Sequence, residues 1–113
     1  MKPITAAAAE ISVDFPDKAY IGSFGQHSEF SVSADPQTAA IRLVHSGEDR
    51  RVAEIHLPYY LLAEVLAELA VGLASPSISI DEFHRSAIRD AAAALANAAK
   101  PIHRQRKART AAR

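Results

Sequence analysis

The 113-residue sequence predicts an α+β fold, a three- to four-stranded antiparallel meander followed by two helices packed on one sheet face. Three observations predict it. Apolar and polar residues alternate in the N-terminal half, apolar residues then recur every three or four positions, and an alanine-rich segment with a helix-start signal follows. Strands that precede helices are typical of α+β proteins. We expect a flexible N-terminus over 1–9, a single domain over 10–99 and a flexible basic C-terminal tail over 100–113.

The central hairpin is predicted together with its register. Residues 29–34 and 39–45 alternate in period two, and residues 35–38 between them begin with the Asp and Pro that a type I turn prefers. Closing the hairpin over this turn sets Val32 opposite Ile41. The turn and the apolar pattern therefore select the same register.

A third strand is predicted over 51–57, after a loop that contains glycine. Pairing Ile41 with Ile55 also sets Arg42 opposite Glu54, whereas a shift of one residue would set Ile41 against a carboxylate. The three strands should therefore form an antiparallel meander with one apolar face and one mixed face.

Two segments lie upstream of the meander. Ile11, Val13 and Phe15 alternate with polar residues and indicate a fourth strand. The segment 20–26 contains two glycines and is not assigned.

The first helix is predicted after Pro58, which suits a first helical turn, and should end near Ala74. Large apolar residues recur in it at three- and four-residue spacing, with Glu64 and Glu68 on the other side. We expect this helix to cover the sheet. One buried face should then unite Phe30, Val32, Ile41, Leu43, Ile55 and Leu57 of the strands with Leu62, Leu66 and Leu69 of the helix.

The second helix has a detailed start signal. Ser79 and Glu82 have the spacing of a capping box, and Ile78 and Phe83 occupy the two positions of a hydrophobic staple. Pro101 should end the helix. Its many alanines provide little side-chain bulk, so we expect it to pack on the first helix or on a second subunit.

The residues that carry most enzyme chemistry are absent or badly spaced. The chain has no cysteine, which excludes disulfides and thiolate chemistry, and its five histidines lack the spacings that place two imidazoles on one metal ion. It also lacks the serine-nucleophile motif G-x-S-x-G and the glycine-rich phosphate-binding motifs. The sequence therefore predicts no catalytic residues, no metal and no cofactor, and an unrecognised enzyme is the third functional hypothesis.

The cellular location is predicted from what the chain lacks. Residues 1–9 contain no signal-peptide core, and the longest apolar stretch, 57–74, is interrupted by proline, glycine and two glutamates. We expect a soluble cytoplasmic protein with no membrane partner.

The charge is distributed unevenly, although the net charge is zero. The tail has six bases and no acid, which leaves seven bases and thirteen acids in residues 1–99. The tail is a solvated terminus, a counter-charge that folds back on the acidic body, or a site for nucleic-acid phosphates. The candidate nucleic-acid-binding residues are Lys100, Arg104, Arg106, Lys107, Arg109 and Arg113.

The first functional hypothesis is a small non-enzymatic interaction or regulatory domain that self-associates as a homodimer or binds a protein partner. Tyr59 and Tyr60 are its candidate interface residues, since tyrosine is enriched at interfaces. The alanine-rich helix and an exposed sheet edge are alternative routes to association. The second hypothesis is a small nucleic-acid-binding protein that uses the tail.

Overall fold

The computed structural model describes residues 1–5 and 7–102. The chain divides into two compact units, Met1–Val71 and Gly72–Arg113. The predicted α+β class is confirmed, with the strands preceding the helices. The elements are β1 (Lys2–Pro3), β2 (Ala9–Phe15), β3 (Lys18–Phe24), β4 (Ser28–Ala34), β5 (Thr38–His45), β6 (Arg51–Pro58), α1 (Tyr59–Ala74) and α2 (Glu82–Ala98).

The strands form a four-stranded antiparallel sheet, in the order β1-β4-β5-β6, and a separate two-stranded sheet of β2 and β3. The predicted meander register is confirmed. Val32 pairs with Ile41, which pairs with Ile55. The amide of Asp35 donates to the Thr38 carbonyl at 2.9 Å and closes the turn. The turn and the period-two pattern therefore determined the same pairing.

The strand predicted upstream exists as β2, but it pairs with β3 instead of extending the meander. The turn is tight, since Phe15 pairs with Lys18. The rings of Phe15 and Tyr20 meet edge to face at 6.2 Å, and the Lys18 ammonium lies 5.9 Å from the centre of the Tyr20 ring. These local contacts stabilise the β2–β3 hairpin.

Few side chains of the described residues are buried. The buried apolar residues are Phe24, Ala39, Ala40, Leu43 and Val44, and all but Phe24 belong to β5. They occupy both faces of β5, so burial follows the central position of this strand. The prediction of one continuous buried face is wrong, because Val32 is 62% exposed and Ile55 39% exposed.

Helix α1 begins directly after β6 and ends at Ala74, close to the predicted bounds. Pro58 is the last residue of β6 and not part of the first helical turn. All sixteen residues of α1 are described and none is buried, so the prediction that Leu66 and Leu69 are buried is wrong. The junction explains this. With no connecting residues between β6 and α1, the chain has no turn in which to reverse over the sheet.

Helix α2 begins at a different residue from the one predicted. Asp81 is its N-cap, and its carboxylate accepts a hydrogen bond from the His84 amide at 2.8 Å. The predicted Ser79 cap is wrong because Asp caps as well as Ser does and stands directly before the helix. The predicted staple is also absent from this described helix start. Phe83 is 83% exposed, so it does not form the predicted apolar contact with Ile78. At the same helix start, the Arg85 guanidinium donates a hydrogen bond to the Ile80 carbonyl at 3.3 Å.

Candidate interaction surface

Helix α1 presents a large apolar surface. Only Glu64 and Glu68 are charged among its sixteen residues, and their four-residue spacing puts both on one stripe. Large apolar side chains surround the rest of the helix and are exposed: Tyr59, Tyr60, Leu61, Val65, Leu66, Leu69 and Val71. We call these seven residues the α1 surface. A helix that is apolar nearly all round is normally buried, so this one lacks its expected cover within its own unit, Met1–Val71.

The two candidate interface tyrosines have different surroundings. Tyr59 is 37% exposed, its hydroxyl donates to the Asp35 carbonyl at 2.7 Å, and its amide donates to the Gln37 carbonyl at 3.1 Å. It therefore fastens the start of α1 to the β4–β5 turn. Tyr60 is 91% exposed. Of the two rings, that of Tyr60 is free to enter an interface.

An apolar groove of about 440 Å³ lies between β6 and the β2–β3 hairpin. Ile11, Val13 and Tyr20 line it from the hairpin, and the consecutive residues Val52, Ala53, Glu54 and Ile55 line it from β6. Arg51 of β6 also lines this groove and contacts the hairpin. Its guanidinium lies 5.5 Å from the centre of the Phe24 ring and donates to the carbonyls of Ser23 and Asp49, at 3.0 Å and 3.1 Å respectively.

Ser28 and His45 form a pair that sequence reasoning missed. The Ser28 hydroxyl lies 2.9 Å from His45 Nδ1, and the two residues are register partners on β4 and β5. The sequence contained the information needed to find this pair, because extending the predicted β4–β5 register by two residues beyond Phe30 and Leu43 sets Ser28 opposite His45. A nucleophile and its base have this geometry. Ser28, however, is only 2% exposed, and no carboxylate of the described residues forms an ion pair with His45. The pair is suited to joining two strands.

The other histidines within residues 1–5 and 7–102 do not converge with His45. His45 and His56 lie on opposite faces of the sheet, as the register predicts, because His56 is opposite Ala40 and His45 is opposite Arg51. Within residues 1–5 and 7–102, no three His, Asp or Glu side chains are grouped as metal ligands. His27 has a left-handed backbone with φ of 64°, in the short segment between β3 and β4.

One of the six candidate nucleic-acid-binding residues falls within the described part of the chain. Lys100 follows α2 and is exposed, whereas Arg104, Arg106, Lys107, Arg109 and Arg113 lie outside the described residues. On α2 itself, Arg89 forms an ion pair with Glu82 at 3.3 Å, and His84 lies 2.9 Å from the Asp81 carboxylate. Neighbouring acids therefore offset much of the basic character of this helix.

Comparison with known proteins finds no matching family model, no matching curated protein and no matching solved structure. No helix of the described residues is long and apolar enough to cross a membrane. A functional interpretation therefore depends on the exposed surfaces of the molecule.

Proposed function

We propose that this protein is a small non-enzymatic interaction domain that self-associates as a homodimer. The observation that carries the proposal is the α1 surface, a nearly uncharged helix with no buried residue. Exposed apolar patches of more than a few hundred Å² are rare on monomers and typically mark interaction sites.

The size of the α1 surface supports a stable interface. Its seven side chains are between 37% and 91% exposed. With about 150–200 Å² for each fully exposed side chain, they present on the order of 600 Å². A standard interface buries about 800 Å² on each partner. Because these side chains surround the helix, one partner covers only the part that faces it, so the α1 surface supplies a share of one side and neighbouring residues supply the rest.

The composition of the α1 surface favours a second copy as the partner. Interfaces of obligate homodimers are more apolar than those of transient complexes, and the α1 surface contains no charged residue. A two-fold axis also brings identical surfaces together, so an apolar patch meets an apolar patch. We place this homodimer in the cytoplasm, because a chain without cysteine gains nothing from an oxidising compartment.

The test is the mass of the protein in solution, measured by sedimentation equilibrium across a dilution series. We expect a dimer for the wild type and a monomer for Leu69→Glu, which places a charge in the α1 surface. The matched control is Glu68→Gln, the neighbouring position on the charged stripe, which should remain dimeric. A wild-type protein that is monomeric at every concentration would refute the proposal.

The charge asymmetry favours a second candidate function, non-specific nucleic-acid binding by the tail. Six bases without an acid, from Lys100 onward, can neutralise phosphates, and affinity should then fall linearly with salt on logarithmic axes. The matched comparison is the full chain against a chain that lacks residues 101–113, by mobility shift with duplex DNA or RNA. The full chain should bind at low salt and the shortened chain should not. Absence of a shift with the full chain would eliminate this candidate.

A further inference from the structure

Within the described part of the chain, β6 is an edge strand of the four-stranded sheet. Its main-chain polar groups fall into two sets. The Tyr59 amide donates to the Gln37 carbonyl and so continues the β5–β6 ladder by one hydrogen-bonded pair. Because such pairs alternate along an antiparallel ladder, the odd-numbered residues of β6 bond to β5. The even-numbered residues point their amides and carbonyls toward the free edge.

The residues on the free edge are therefore Val52, Glu54, His56 and Pro58. Among the described residues, the main-chain groups of Val52, Glu54 and His56 form no hydrogen bond outside the sheet. Pro58 lacks an amide hydrogen, and its position on this edge explains why a proline is tolerated at the end of β6. An unpaired edge of this kind is a template for another strand.

The geometry points to antiparallel pairing of β6 with β6 of a second copy, with the two-fold axis at Ile55. This inference rests on the proposed self-association. It adds the β6 edge to the interface and specifies which residues of the two β6 strands lie opposite one another. In this register the Glu54 of each copy faces the second copy's His56, and these two residues exchange both main-chain hydrogen bonds. Ile55 meets its own symmetry mate in the closer, non-hydrogen-bonded kind of pair.

Charge selects this register over its nearest competitor. An axis at residue 54 would allow as many main-chain hydrogen bonds, but it would set Glu54 directly against the second copy's Glu54. Like charges directly opposite one another on two strands are destabilising, whereas an imidazole opposite a carboxylate avoids that repulsion and can donate a hydrogen bond to it. Glu54 and His56 are already compatible neighbours, since His56 Nε2 lies 3.2 Å from Glu54 Oε1 in the same chain.

Apolar side chains on the other face support the same register. In this pairing Ala53 faces the second copy's Leu57, and both lie on the sheet face that includes Ile55. That face borders the apolar groove between β6 and the β2–β3 hairpin. Ala53, Ile55 and Leu57 of an added strand would therefore extend the apolar area of this face, on which Arg51 is the one charged residue of β6.

Single-cysteine cross-linking tests the inference directly, because the chain has no cysteine of its own. In the proposed dimer the two Cα atoms of residue 55 are about 4.5 Å apart, within the range that a disulfide spans. The two Cα atoms of residue 53 are about 14 Å apart, which is too far. We therefore expect Ile55→Cys to form a covalent dimer on mild oxidation. Ala53→Cys, the matched control, should remain uncross-linked.

A second pair of variants tests the edge hydrogen bonds. Glu54→Pro removes an amide hydrogen that β5 does not use, whereas Glu54→Ala keeps it. Because two hydrogen bonds are lost per dimer, the proline variant should raise the dimer dissociation constant about tenfold or more relative to the alanine variant. Circular dichroism shows whether each variant is folded.

The outcomes separate the two proposals. A monomeric wild type would overturn both. A wild-type dimer in which Ile55→Cys does not cross-link, or in which Ala53→Cys cross-links equally fast, would overturn the β6 pairing and leave self-association standing. Equal dissociation constants for folded Glu54→Pro and Glu54→Ala would also overturn the β6 pairing.

Discussion

The β4–β5–β6 meander and helix α1 were both located correctly from the sequence, yet only the meander was predicted down to its contacts. In the meander, Val32, Ile41 and Ile55 pair as expected. In α1 the bounds were right but the burial was wrong. A strand pattern together with a turn identifies the opposite residue, because each position has one partner and shifting by one exposes the wrong face. A helical pattern identifies only an apolar stripe and not what covers it.

The largest expected effect is a loss of stability when a leucine of the meander is shortened, compared with the same change in α1. Leu43 on β5 is 9% exposed, so Leu43→Ala should lower the free energy of unfolding by about 2–5 kcal/mol. Leu66 on α1 is 38% exposed, and Leu66→Ala should change the unfolding of the monomer by less than about 1 kcal/mol. Urea denaturation at low protein concentration measures both.

The same pair of variants connects stability to association. In a dimer held by the α1 surface, the effect of Leu66→Ala should grow with protein concentration, because only the associated state buries that side chain. The effect of Leu43→Ala should not depend on concentration to the same extent. A Leu66→Ala loss as large as that of Leu43→Ala in the dilute monomer would show that α1 is covered within one chain.

A smaller effect is expected at the start of α2, where the sequence signal was ambiguous between two caps. Asp81→Ala should lower the free energy of unfolding by about 0.5–2 kcal/mol, since the His84 amide loses its acceptor. Ser79→Ala should change it by less than about 0.5 kcal/mol. Thermal unfolding followed by circular dichroism compares the two variants. The reverse order would restore Ser79 as the cap.

The limits of the sequence prediction follow from where the determining contacts lie. The meander depends on neighbours joined by short turns, so local pattern is sufficient. The pairing of β2 with β3 was missed because Gly22 and Gly25 interrupt the alternation of residues 20–26. The exposure of α1 depends on the absence of a loop after Pro58, which periodicity does not encode. Tyr59 likewise differs from Tyr60 through hydrogen bonds to the β4–β5 turn, one of them to Asp35, a residue 24 positions away.

The smallest expected effect tests the meander register itself. Arg42 and Glu54 are cross-strand partners whose charged atoms lie 3.8 Å apart, with 44% and 43% of the side chains exposed. At that exposure, solvent screens the attraction. A double-mutant cycle of Arg42→Ala and Glu54→Ala should therefore give a coupling energy of about 0.2–1 kcal/mol.

The salt dependence of this coupling distinguishes an ion pair from coincidental proximity. The coupling should decrease as ionic strength rises, because the Debye length shortens to about 3 Å at 1 M salt. Chemical denaturation at low protein concentration isolates the pair within one chain from contacts of Glu54 across the proposed β6 edge. If no coupling is found at low salt, the register is still correct, but the ion pair of Arg42 and Glu54 adds nothing to the stability of the meander. The meander would then depend on its turn and apolar pairs alone, which are also the features that made it predictable.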